Sequence, residues 1–167
     1  MKYLSEKEAY DVALNLEEEG FSFYEDCAAK SKNDESRHIL LQLASDERDH
    51  FDTFKKLQGA LDKSAGKPLG NNEEVRQYLA NLVRPGIFYD VKSIPHASIG
   101  SLNEYEVINI GIQAEKDSIL FYTEAWHNST NGKGKKAFKK ILLEERQHLN
   151  MLIERLMSLT QLKKTGR

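Results

Sequence analysis

The chain has a single cysteine, Cys27, among its 167 residues. It can therefore build neither a disulfide framework nor a thiolate zinc site. Proline is almost as scarce. Pro68, Pro85 and Pro95 are the three present, and all lie between Gly59 and Gly100 with five of the glycines. Neither sign of charge prevails, since 24 Lys and Arg stand against 26 Asp and Glu, a net charge of −2. Nothing in that balance points to a nucleic-acid surface. The densest basic cluster, Lys135, Lys136, Lys139 and Lys140, reads as a solvated helix face. No apolar run approaches the roughly 20 residues of a membrane span. The segment Met1–Glu6 turns charged too early for a secretory signal. The expectation is one cytoplasmic domain spanning residues 1–167, large enough for a substantial core.

What the chain does have is a repeat of charged and imidazole side chains. Glu17, Tyr24, Glu47 and His50 recur, each 98 positions later and without a gap, as Glu115, Tyr122, Glu145 and His148. Each member lies in an apolar stripe with steps of three and four. The stripes are Tyr10, Leu14, Glu17, Phe21, Tyr24, Ala28; Leu40, Leu43, Glu47, His50, Phe54, Leu57; Ile108, Ile112, Glu115, Ile119, Tyr122; and Phe138, Ile141, Glu145, His148, Leu152. That spacing is one helix face turned to a core. The four glutamates and two histidines therefore face inward on four helices.

The helix signals agree. Ser5 with Glu8 reads as a capping box, so the first helix is expected over about 5–29. Asn33 or Asp34 caps a second helix over about 34–57, after a short turn that makes the pair antiparallel. The third is expected over about 103–127, capped by Ser101 or Asn103. The fourth is expected over about 134–159, followed by a frayed tail from Lys163. Between them lies a crossover of about 59–100, with one short helix announced by Asn72-Glu73-Glu74, Val75, Tyr78, Leu79 and Leu82. The fold class expected is an all-α antiparallel four-helix bundle. The long crossover also fits the hinge of a domain-swapped homodimer.

Buried unpaired, four carboxylates would cost many kcal/mol or be forced to hold protons. Their charge of about −4 is balanced by two divalent cations, so the pattern points to two metals. A Glu from each of two helices plus Glu-x-x-His from each of the other two is the ligand set of di-iron and di-manganese bundles. One imidazole per metal among oxygen ligands suits Fe, Mn or Zn better than Ca or Mg. Glu47 and Glu145 would bridge, His50 and His148 would bind one metal each, and Glu17 and Glu115 would each cap one. Tyr24 and Tyr122 have two readings: hydroxyls that hydrogen-bond a ligand carboxylate of the other half, or core aromatics with some other partner. His38, His96 and His127 read as surface residues, and Trp126 as packing. Asp46 and Glu144 point off the stripe, toward solvent or ion pairs.

The motifs resemble those of the ferritin-like rubrerythrin family: Glu17-x-x-Gly20-x-x-Phe23-Tyr24, Asp46-Glu-Arg-Asp-His50, Glu115 with Phe121-Tyr122, and Glu144-Glu-Arg-Gln-His148. The resemblance spans the four long helices. It implies a ferritin-like bundle holding a non-haem di-iron centre on Glu17, Glu47, His50, Glu115, Glu145 and His148. It also implies an oxidoreductase that reduces hydrogen peroxide. Relatives oxidise ferrous iron or activate dioxygen. Full-length rubrerythrins add a rubredoxin-like domain whose iron is held by four cysteines. One cysteine cannot build it, so electrons are expected from a separate donor such as a rubredoxin. The family's extra glutamate, one turn after the third-helix ligand, is Ser118 here. The remaining set resembles that of bacterioferritin, and the long crossover resembles a stand-alone branch. The function expected is peroxide reduction. Ferroxidase or storage activity, an oxygenase, and a metal-stabilised bundle without turnover are the alternatives.

Overall fold

A computed structural model of the chain describes residues 4–61, 67–84, 94 and 96–165. The described residues are helical, apart from turns and one isolated antiparallel bridge between Ser5 and Pro68. In chain order the helices are α1 (Glu6–Lys30), α2 (Asp34–Gly59), α3 (Glu73–Leu82), α4 (His96–Ile99), α5 (Glu104–Asn128) and α6 (Gly132–Thr165). The long helices α1, α2, α5 and α6 form the bundle. α1 packs along α2 and α5 along α6, while α1 meets α5 and α2 meets α6 across the interface.

Side chains at the helix starts explain where the helices begin. Ser5 and Glu8 form a reciprocal capping box on α1, and Asn103 and Glu106 form another on α5. Asn33 accepts from the Ser36 amide at the start of α2, and Asn72 from the Val75 amide at the start of α3. Asn131 accepts from the Lys133 and Gly134 amides in the first turn of α6, both at 3.0 Å. Each such cap contributes about 1 kcal/mol. The choice between Ser101 and Asn103 thus falls to Asn103, and that between Asn33 and Asp34 to Asn33.

The start of α1 lies against the end of α5, where Ser129 donates to Glu6 at 2.7 Å. The start of α5 lies against the start of α2, where the Ser36 hydroxyl donates to Glu104. The crossover therefore has to travel the length of the bundle. Leu79 and Leu82 of α3 are buried on the way, and Leu69 and Leu79 join the core.

Two features differ from the sequence expectation. The crossover carries a second helix, α4, too short at four residues to show a period. The last helix runs past Leu159 to Thr165, because no glycine or proline interrupts Thr160–Thr165. Most of the expected frayed tail is thereby helical, and Gly166 and Arg167 lie outside the described residues. So do Met1–Tyr3, Pro85 and Pro95; the His96 side chain is likewise not described.

The core has two apolar clusters, one toward each end of the bundle. One is built around Tyr10, Phe54, Phe121, Tyr122, Phe138 and Ile141. The other is built around Tyr24, Leu40, Leu43, Ile108, Ile112 and Leu152. Burying each large apolar side chain stabilises the fold by about 1.5–3 kcal/mol. Between the clusters lies a polar layer.

Candidate metal centre

The polar layer consists of Glu17 from α1, Glu47 and His50 from α2, Glu115 from α5, and Glu145 and His148 from α6. None is more than 5% exposed. Their donor atoms converge as two groups, Glu17–Glu47–His50–Glu145 and Glu47–Glu115–Glu145–His148, and within each group they lie within 4.8 Å of one another. Glu47 and Glu145 belong to both.

The imidazoles are held in matching ways. His50 turns Nδ1 toward Glu17 Oε2 at 3.3 Å and Glu145 Oε1 at 3.2 Å. His148 turns Nδ1 toward Glu145 Oε2 at 3.0 Å and Glu47 Oε1 at 3.3 Å. The two rings stack with centroids 5.7 Å apart. Each outer nitrogen meets an acid from the opposite half: His50 Nε2 is 3.1 Å from Glu144, and His148 Nε2 is 3.3 Å from Asp46. The sequence reading sent these two acids toward solvent or ion pairs. They are about one-third exposed, yet each reaches across the α2–α6 contact to a histidine. The signal was present in the repeat, which carries an acid immediately before both Glu-x-x-His motifs.

The tyrosines cross between halves as well. Tyr24 donates to Glu115 Oε1 at 2.5 Å, and Tyr122 donates to Glu17 Oε1. Glycine makes room for this packing. A Cβ on Gly111 would lie 3.2 Å from Tyr24 Cε1, and one on Gly20 would lie 3.4 Å from the Glu47 carboxyl carbon.

Burial drives Glu17 and Glu115 well above the usual carboxylate range, and the neighbouring Glu47 and Glu145 charges add to the effect. Burial also pushes Glu47 and Glu145 upward, but close contacts with the surrounding groups, both histidines among them, outweigh it and hold them low. The histidines are raised: burial opposes their charge, and contacts with Glu17, Glu47, Glu115 and Glu145 overcome it. Without metal, the shifts thus place protons on Glu17, Glu115 and the two histidines and negative charge on Glu47 and Glu145.

The donor set fits a pair of cations. Glu17 Oε2, His50 Nδ1 and Glu145 Oε1 are buried without a hydrogen-bond partner and face a common centre. Buried polar atoms are seldom left so, and these are atoms that a metal would engage. A cavity of about 280 Å³ opens on the α2–α6 face beside both histidines, with Asp46, Asp49 and Glu144 at its lining. His38 and His127 are exposed and play no part in the cluster. Trp126 is partly buried against the aromatic core. Sequence reasoning passed over Arg155, whose buried guanidinium donates to Glu104 at 2.7 Å and to Ser36 at 2.8 Å.

These features define a helical-bundle protein whose buried carboxylate–histidine cluster offers two overlapping metal-donor groups. The profile of the rubrerythrin family matches residues 8–156, and the chain belongs to that family. The fold is similar to the crystal structure of a ferritin-like diiron-carboxylate protein from Thermotoga maritima. The two chains are 28% identical, and the match covers 94% of this chain and 97% of that one with a TM-score of 0.76. No curated protein matches. Among the described residues, no helix is long and apolar enough to cross a membrane.

Proposed function

We propose that the chain is a non-haem di-iron oxidoreductase that reduces hydrogen peroxide to water, with electrons from a separate donor protein of the rubredoxin kind. The observation that carries this reading is the pair of donor groups sharing Glu47 and Glu145. Glu17 with His50 would hold one iron, and Glu115 with His148 the other, with Glu47 and Glu145 common to both. When bound, the iron pair supplies the two electrons that break the O–O bond.

The rest of the chemistry belongs to the side chains. Glu144 and Asp46 hold the outer nitrogens of His50 and His148, which keeps each Nδ1 turned inward. Tyr122 and Tyr24 occupy Oε1 of Glu17 and Glu115, leaving Oε2 of each for a metal. Burial and the glutamate charges keep both phenols well above their usual titration range, so they remain donors. Reduction of one peroxide to two waters consumes two protons, and the cavity beside the histidines, lined by Asp46, Asp49 and Glu144, is the route by which they would reach the layer from solvent. The layer is buried, and the 280 Å³ cavity beside it has room for a molecule the size of peroxide.

Ferrous iron as a substrate is a second reading, favoured by two observations. The cavity beside the histidines is lined by Asp46, Asp49 and Glu144, which attract cations. The donor set is symmetric, with Ser118 where rubrerythrins carry a further glutamate. Anaerobic loading with ferrous iron, then stopped-flow mixing with peroxide or with dioxygen, separates the two. Fast oxidation by peroxide at two irons per chain, with slow oxidation by dioxygen, supports the reductase. Faster reaction with dioxygen followed by further iron uptake favours the ferroxidase. Failure to bind two irons per chain defeats both.

A further inference from the structure

The 98-residue correspondence extends beyond the metal ligands to the ends of the bundle, and there it breaks. At one end the rings of Tyr10, Phe54 and Phe138 pack with centroids 5.3–6.1 Å apart. The Tyr10 hydroxyl lies so close to Gly134 that a Cβ there would be 2.0 Å from it. The corresponding residues at the other end are Ile108, Leu152, Leu40 and Ser36. Three rings are replaced by three aliphatic side chains, and that end holds a cavity of about 460 Å³.

The cavity has an apolar floor of Cys27, Leu40 and Ile108, and a rim carrying Lys30 and Lys32. Among the described residues its one acidic lining residue, Glu104, is engaged by Arg155 at 2.7 Å and by the Ser36 hydroxyl. The N-cap residues Asn33 and Asn103 also line it, so the positive ends of α2 and α5 meet at this rim. The volume is that of a small-molecule site. The floor calls for an apolar chain and the rim for an anionic head.

We propose that this cavity binds a small amphiphilic carboxylic acid, with its chain on the Cys27–Leu40–Ile108 floor and its carboxylate at Lys30 and Lys32. Nothing in this depends on the metals. Leu40 and Ile108 stand seven residues from Glu47 and Glu115, about 10 Å along their helices.

Calorimetric titration of the full chain with sodium octanoate tests the proposal. Saturable binding of one octanoate per chain is expected, with 1-octanol binding more weakly. The double variant Lys30→Gln, Lys32→Gln should weaken octanoate by about fivefold to tenfold, the effect of two solvent-exposed charge contacts, and leave 1-octanol unchanged. Leu40→Phe with Ile108→Tyr copies the filled end and should abolish binding of both. Should that variant fail to fold, the sole cysteine serves instead: octanoate should slow modification of Cys27 by a small thiol reagent. Absence of saturable binding at millimolar octanoate overturns the proposal. So does equal affinity for 1-octanol, or unchanged Cys27 reactivity at saturating octanoate.

Discussion

Asp46 and His148 sit on different helices from different halves of the chain, 3.3 Å apart, and Glu144 meets His50 in the same way at 3.1 Å. Each acid directly precedes one shared glutamate and steadies the histidine of the other half. Asp46→Asn should therefore weaken chiefly the metal beside His148, and Glu144→Gln the metal beside His50, each by about 10–100-fold. Competition with a chelator under anaerobic conditions measures this. Equal loss of both metals in either variant would count against the crossed pairing.

Removal of a shared ligand should be more damaging than removal of a terminal one. Glu47→Ala or Glu145→Ala is expected to abolish stoichiometric binding of two metals, whereas Glu17→Ala should leave a single occupied position held by the second donor group. Metal analysis after gel filtration gives the count. Two tightly held metals in Glu47→Ala would disprove the bridging role.

The protonation pattern fixes the sign of the pH response. Folded metal-free protein holds protons on Glu17, Glu115, His50 and His148, all raised above their ordinary values. Raised groups contribute stability that is present below the unfolded value, about 4.5 for Glu and 6.5 for His, and is lost as pH rises through the folded value. Glu47 and Glu145 are lowered, so their contribution is present above about 4.5 and is lost as pH falls. Metal-free protein should thus melt highest at mildly acidic pH and lose stability toward alkaline pH. Metal must displace the held protons, so its affinity should rise with pH and loading should release up to about four protons. Melting curves across pH and calorimetry in buffers of different ionisation enthalpy test both signs.

At the filled end of the bundle, the space beside Gly134 is too small for even one methyl group unless its neighbours shift. Its Cβ would collide with the buried Tyr10 hydroxyl. Gly134→Ala should cost about 1–3 kcal/mol through overpacking, lowering the melting temperature by about 2–4 °C for each kcal/mol. Gly132→Ala, two residues away with nothing near its Cβ, serves as the control.

The bundle and the inward convergence of its four glutamates and two histidines were legible because helix periodicity and the 98-residue repeat reinforce each other at Glu17, Glu47, His50 and their counterparts. The ion pairs of Asp46 and Glu144 were anticipated, but not their histidine partners, because a stripe records only the direction in which a side chain leaves its helix. Their carboxylates turn back toward a neighbouring helix, and only the paired recurrence of an acid before Glu-x-x-His hinted at it. Arg155 stands where the repeat has Leu57, so it broke the pattern that made everything else readable. The cavity beneath Lys30 and Lys32 comes from side-chain volume, Ile108 against Tyr10 and Leu40 against Phe138, which an apolar stripe treats as equivalent.

Each donor group draws three residues from one helical hairpin and one from the other: Glu145 completes Glu17, Glu47 and His50, and Glu47 completes Glu115, Glu145 and His148. Neither α1–α2 nor α5–α6 supplies a complete donor group alone. A metal held there would fasten the two modules together, and its uptake would be a checkpoint for their docking. A chain whose long crossover has not yet brought the second hairpin home should hold iron only loosely.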